Sequence, residues 1–291
     1  RPILWLFRPG MLPLVDQFAA RLVIYHVVDE YSAYPGLTAA QSARQRELDA
    51  QLTARADLVF CTARSLVEAR QPRNPRTYYL PNAVDFEAFQ RAINGPTRTP
   101  SFALQANRPR LGVVGGINAK LDLALLGDVA RQRPDWTLLL IGPLGYGLNL
   151  DLFARLKALP NVVLPGALPP EQVPLAIAAC DVCLIPYRLN EKTRHINPLK
   201  LYEYLAAGKP VVATPLPELA PYRPVISLAG DAATFVAAVE AALAQASDPA
   251  GQAERRAVAA ANTWDQRVAA MSALIAAALS SAAPASPASD A

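Results

Sequence analysis

The sequence has no apolar run near the roughly 20 residues that a membrane-spanning helix requires; its longest runs, such as Thr137 to Gly142, are strand-sized. A soluble or at most peripherally attached protein is the expectation. Cysteine is scarce, and Cys61, Cys180 and Cys183 make an odd, sparse set that cannot staple a small secreted fold. A cytoplasmic setting fits that usage. An excess of one charge is missing too: 28 Lys and Arg stand against 24 Asp and Glu, with no run of five like charges. Composition therefore calls for neither nucleic acid nor an anionic membrane, although a locally basic cleft remains compatible with it. With 14 Gly, 27 Pro and 52% hydrophobic residues, wholesale disorder is excluded.

Several catalytic signatures are absent as well. There is no Asp-x-Asp of the kind that holds a metal on a nucleotide sugar, no Gly-x-Ser-x-Gly elbow and no Gly-x-x-x-x-Gly-Lys-Ser/Thr loop. Metal-dependent transfer, serine hydrolysis and P-loop chemistry lose their main support. Cys180-Asp-Val-Cys183 has the spacing of a zinc or redox pair. With no second pair and both histidines, His26 and His195, far off in sequence, it reads as buried structural cysteine.

Strand-length apolar runs alternate with amphipathic segments of helical length from end to end, the pattern of parallel βαβ units. At about 100 to 200 residues per domain, 291 residues allow two. In the first half, strands are expected at Ile3–Phe7, Leu22–Val28, Leu58–Thr62 and Thr77–Leu80, with a helix over residues 39–56. Asn94-Gly-Pro-Thr-Arg-Thr-Pro interrupts the period and reads as an interdomain linker over 94–109. Six further strands follow from Leu111 to Leu228, enough for a doubly wound sheet in a domain spanning 110–262. A helix over 263–279 should cross back to the first domain, and 280–291, without large apolar groups, reads as a disordered tail. The chain opens directly on a strand without an initiator Met. That leads to the expectation that the first domain, 1–93, lacks an amino-terminal piece.

The most informative stretch is Asn197-Pro-Leu-Lys-Leu-Tyr-Glu-Tyr-Leu-Ala-Ala-Gly-Lys-Pro. Asn197 can cap a helix beginning at Pro198, and Gly208 with Pro210 ends it. The amino end of this helix follows the strand Val182–Pro186, at the carboxyl edge where open α/β sheets bind ligands and where free amides attract phosphate. Lys200 and Glu203 lie one turn apart on one face, so a cation and a carboxylate can meet the phosphate and ribose ends of a nucleoside diphosphate. A surface ion pair would have the same spacing.

The flanking sequence adds a resemblance. Pro81-Asn-Ala-Val-Asp-Phe-Glu-Ala-Phe89 resembles the "PNGVD...F" segment of GT-B glycosyltransferases, particularly family 4. Leu111-Gly-Val-Val-Gly-Gly-Ile-Asn-Ala-Lys120 resembles the segment that opens their second domain. Ala179-Cys-Asp-Val-Cys-Leu-Ile-Pro-Tyr187 resembles the strand before the donor loop, and Lys200 to Thr214 their "E-(x7)-E...G.PVVAT" signature. The likeness spans about residues 22–279. It implies α/β architecture of GT-B type, two facing Rossmann-like domains with the first incomplete. It implies ribose recognition by Glu203, with His195 standing where the first signature Glu would be. Asn197, Pro198, Leu199 and Lys200 match the loop and first turn that cradle the diphosphate. Lys120 matches a phosphate-binding lysine, while Gly115 and Gly116 stand where an arginine is usual, so further positive charge falls to Lys200, Arg194 and Arg188. Gly116 is a candidate for close backbone approach to phosphate.

In the first domain, Tyr25-His-Val-Val-Asp-Glu ends a strand, and His26 and Asp29 are candidates for the cleft chemistry, against a core histidine and a turn cap as the plainer readings. The resemblance thus implies a hexosyltransferase-type enzyme with catalytic candidates His26, Asp29, Lys120 and Lys200. It would move a sugar from a nucleotide-sugar donor to a glycan or lipid-linked acceptor, with retention and without metal or other cofactor. No nucleic-acid partner is expected, and contact with the inner face of a membrane is left open. A sugar-nucleotide epimerase of the same fold and a non-catalytic nucleotide-binding remnant are the alternatives.

Overall fold

Short runs rich in Leu, Val and Ile become strands and the segments between them helices. In the computed structural model, which describes residues 1–95, 100–102 and 106–281, the elements in chain order are β1 (Ile3–Leu6), α1 (Leu14–Gln17), β2 (Leu22–Val27), α2 (Ala39–Arg55), β3 (Leu58–Cys61), α3 (Arg64–Arg70), β4 (Thr77–Tyr79) and α4 (Phe86–Asn94). Then come β5 (Arg110–Val114), α5 (Leu123–Gln132), β6 (Thr137–Ile141), α6 (Leu150–Lys157), β7 (Val162–Gly166), α7 (Val173–Ala178), β8 (Val182–Ile185) and α8 (Leu199–Ala206). The last are β9 (Val211–Ala213), β10 (Ser227–Leu228), α9 (Ala232–Ala244), α10 (Pro249–Ala260) and α11 (Trp264–Ser281). The chain forms two units, one of Arg1–Pro81 with the chain from Asp265 onward, the other of Asn82–Trp264.

The first unit holds a parallel sheet of order β1-β2-β3-β4. Alternation along its strands sends Val23, Tyr25, Val27, Val59 and Cys61 to one face, against Leu52 of α2 and Leu66 of α3. Leu22, Ile24, Leu58 and Phe60 go to the other, where Met271, Leu274, Ile275 and Ala278 of α11 present a stripe at helical spacing. Thr38 and Gln41 start α2 with a reciprocal capping box.

The second unit is a six-stranded parallel sheet of order β10-β9-β8-β5-β6-β7. The sequence runs outward from β5 in one direction and from β8 in the other, so the loops after β5 and β8 flank the reversal point where such sheets bind ligands. The four inner strands β5, β6, β8 and β9 are buried on both faces, which explains their apolar runs.

The structure draws the boundary differently from the sequence reading. Division falls at Pro81–Asn82, not after residue 93, because Phe89 of α4 packs into the core of the second unit. The return point is Trp264–Asp265. Residues 96–99 and 103–105 of the expected linker and 282–291 of the expected tail lie outside the described residues, and α11 runs to Ser281. Among the described residues no helix is long and apolar enough to cross a membrane.

Candidate functional site

Two loops converge at the reversal point of the second sheet. The first leaves β5 at Gly115 and ends where Asp122 caps α5 by accepting the Leu125 amide at 3.0 Å. The second leaves β8 and runs to α8. Backbone bonds stitch them together: Asp122 N donates to Pro186 O at 2.8 Å and Arg188 N to Lys120 O at 2.8 Å. Lys120 is thereby held between both loops, its Nζ 5.0 Å from the centre of the Tyr187 ring.

Gly115, Gly116, Lys120, Tyr187, Lys200 and Tyr204 line a notch of about 40 Å³. Lys200 enters it from the first turn of α8 with its stem over Gly115, so close that a Cβ there would lie 3.0 Å from Lys200 Cε. Gly115 has φ +135° and Gly142 φ +147°, and a Cβ on Gly142 would lie 2.0 Å from Gly115 O. Only glycine permits this approach of the β5 and β6 ends. The Tyr204 hydroxyl accepts the Val114 amide at 2.9 Å and fixes the strand end beneath. Beside the notch, Ile117, Leu140, Gly142, Pro143 and Phe153 line an apolar cavity of about 330 Å³.

Lys200 Nζ donates to Glu203 Oε2 at 2.5 Å, the i, i+3 pairing that the sequence spacing anticipates. Side-chain exposures of 23% and 14% leave the pair better shielded than an ordinary surface bridge. Asn197 behaves differently from the sequence reading. Helix α8 starts at Leu199 with Pro198 as its cap residue and no side-chain capping bond. The Asn197 side chain instead accepts the Asn82 amide at 3.2 Å and donates to the Tyr202 hydroxyl at 3.2 Å, and the residue is only 3% exposed. Arg194 and His195 both turn to Glu191, each at 3.2 Å. Bonds from His195 and then Arg194 hold that carboxyl below its ordinary range. Arg194 and Arg188 are exposed, and Leu199 stands partly open at the helix start.

The remaining two candidates belong to the first unit. His26 lies on β2 among Trp5, Phe7 and Phe60, with ring centroids 5.4 to 6.1 Å away. Burial lowers its pKa to about 4. Its Nε2 and the Trp5 Nε1 are buried without a hydrogen-bond partner among the described residues. Asp29 accepts the Tyr34 hydroxyl at 2.7 Å, and Tyr34 stacks on Tyr31. Next to it Glu30 and Asp49 both receive the buried Arg70 guanidinium, at 3.2 and 2.8 Å.

Sequence reasoning passed over Tyr187, Tyr204, Asn82 and Arg70. Asn82, Tyr187 and Tyr204 stood inside quoted motifs, but nothing local reveals their partners. All three cysteines are free and buried. Among the described residues no three His, Cys, Asp or Glu side chains gather to hold a metal ion.

Known proteins resemble this chain at several levels. Residues 108–245 match the family model described as Glycosyl transferases group 1. The chain is 31% identical over 280 residues to TuaH of Bacillus subtilis (strain 168), described as a teichuronic acid biosynthesis glycosyltransferase, covering 91% of this chain and 69% of that protein. Sucrose-phosphate synthase of Thermosynechococcus elongatus superposes with a TM-score of 0.71 at 18% identity, over 96% of this chain and 74% of that one. Anabaena Alr3699/HepE, solved in complex with UDP and glucose, gives 0.64 at 18% identity, over 95% and 77%.

Proposed function

This chain belongs to the group 1 glycosyl transferases and has their GT-B fold, and from that premise we propose that its second unit binds the nucleotide of a nucleotide-sugar donor at the Gly115–Lys120–Lys200 notch. The observation that carries this is the convergence of two lysines, a glycine floor and a helix amino end at the reversal point of one sheet. Lys120 and Lys200 face the diphosphate, joined by the Leu199 and Lys200 amides, which the first turn of α8 leaves without intrahelical acceptors. Glu203, already oriented by Lys200, accepts the ribose hydroxyls. The apolar cavity beside Gly142 offers room for the base. The Anabaena complex with UDP and glucose makes uridine nucleotides the first probe.

Departure of the nucleoside diphosphate puts charge on its bridging oxygen, and fixed cations stabilise that charge at no cost in reorganisation. Transfer therefore proceeds without a metal in this reading, with retention at the anomeric carbon, the leaving phosphate taking the acceptor proton. The acceptor, a glycan or a lipid-linked molecule in this reading, meets the first unit, where His26 and Asp29 lie. The homologue's description, which names teichuronic acid biosynthesis, supports a polysaccharide product. No observation speaks separately for the epimerase or the non-catalytic remnant.

Calorimetry with UDP, GDP and ADP tests the site. Glu203→Ala should weaken the nucleotide that binds by about 1.5 to 3 kcal/mol, the worth of hydrogen bonds to a charged acceptor. An unchanged affinity would remove the ribose assignment.

A further inference from the structure

Helix α8 starts without the side-chain cap that most helices use. Pro198, its cap residue, brings neither a side-chain acceptor nor an N–H. What sets its first turn is the residue before it, and that residue is held from afar. Asn82 N–H donates to Asn197 Oδ1 at 3.2 Å, and Asn82 Nδ2 donates to the Asn197 carbonyl at 2.7 Å. Asn197 Nδ2 then reaches the Tyr202 hydroxyl, which meets the Tyr222 hydroxyl at 3.0 Å. The side chain and carbonyl of Asn197 are thus spent on protein contacts, and what Asn82 fixes is the direction in which the chain enters α8.

The same segment grips the other end of the helix. Gln90 Nε2, on α4, donates to the Ala206 carbonyl at 2.8 Å, one of the terminal carbonyls that a helix cannot satisfy itself. Residues 82–90 therefore lie as a brace with one amide side chain at each end of α8. Phe89, between them, packs in the shared core.

We propose that Asn82 is a positioning residue for the nucleotide site, holding the Asn197–Pro198 entry so that the Leu199 and Lys200 amides and the Lys200 ammonium face the notch. This deepens, and rests on, the reading of α8 as the nucleotide-binding helix. Asn82 touches no substrate in this role; it acts through Asn197.

Asn82→Asp tests it. The variant keeps the size and the backbone N–H but removes the Nδ2 donor and sets a carboxylate oxygen against the Asn197 carbonyl. Amide hydrogen exchange over residues 196–201 should quicken about tenfold while β6 is unchanged, and UDP affinity should fall about tenfold, roughly 1.4 kcal/mol. Asn74→Asp removes an amide donor from the first unit, where Asn74 Nδ2 serves the Thr53 and Ala56 carbonyls. It should lower stability and leave UDP affinity alone, which separates positioning from general destabilisation. Unchanged exchange at 196–201 would overturn the proposal, and so would quickened exchange with wild-type UDP affinity. Failure of the wild-type chain to bind UDP, GDP or ADP would overturn the nucleotide reading, and the positioning role with it.

Discussion

At pH 7 the His26 imidazole is neutral, because its aromatic surroundings penalise the charged ring and lower its pKa from 6.5 to about 4. The unfolded chain takes up this proton near pH 6.5 and the folded chain only near pH 4. Stability attached to His26 is therefore complete above pH 6.5 and is lost as pH falls through that window. The two values imply about 3 kcal/mol in total, and about 2 kcal/mol by pH 5. His26→Phe keeps an aromatic ring beside Trp5, Phe7 and Phe60 but removes the titration. Urea denaturation at pH 7.5 and pH 5.0 should show wild type losing about 2 kcal/mol more than the variant. Carboxylates that titrate in both proteins cancel in this comparison. Equal losses in the two proteins would refute the argument, since His26 would then be protonated in the folded state at pH 5 at no cost.

Other expectations follow from the same geometry. Gly142→Ala should cost more stability in urea than Gly115→Ala, since its new Cβ meets the Gly115 carbonyl whereas that of Gly115 meets the flexible end of Lys200. Gly115→Ala should nevertheless be the variant that weakens UDP binding, by displacing Lys200. Arg70→Met leaves the carboxylates of Glu30 and Asp49 unpaired beside a side chain that was 3% exposed, and should destabilise the first unit by about 3 to 5 kcal/mol in denaturation. Sugar transfer, followed by nucleoside diphosphate release, should survive EDTA; loss of activity restored by magnesium or manganese would contradict the metal-free reading.

Much of this molecule is written locally. Apolar runs of strand length placed the four strands of the first half, each starting where expected and ending one residue sooner. Strand length depends on how far an apolar run extends and on where the chain can turn. Lys200 and Glu203 were also legible as a pair, because helical spacing alone puts them on one face. Other relations had no local signature. Lys120 and Lys200 line one notch only because the sheet reverses direction between β5 and β8. Asn197 has the chemistry of a cap, yet its amide is claimed by Asn82, 115 residues away in the chain, and a local rule cannot see a stronger distant partner. His26 could be read from the sequence only as a histidine near a strand end, and the fold alone brings Trp5, Phe7 and Phe60 around it. The unit boundary moved to Pro81 for a similar reason: α4 has an ordinary amphipathic pattern, and which core receives its apolar face is decided by the surface available in the folded chain. Local sequence sets what each segment can form, whereas the pairing of distant side chains is set by the topology that brings them within a few ångströms.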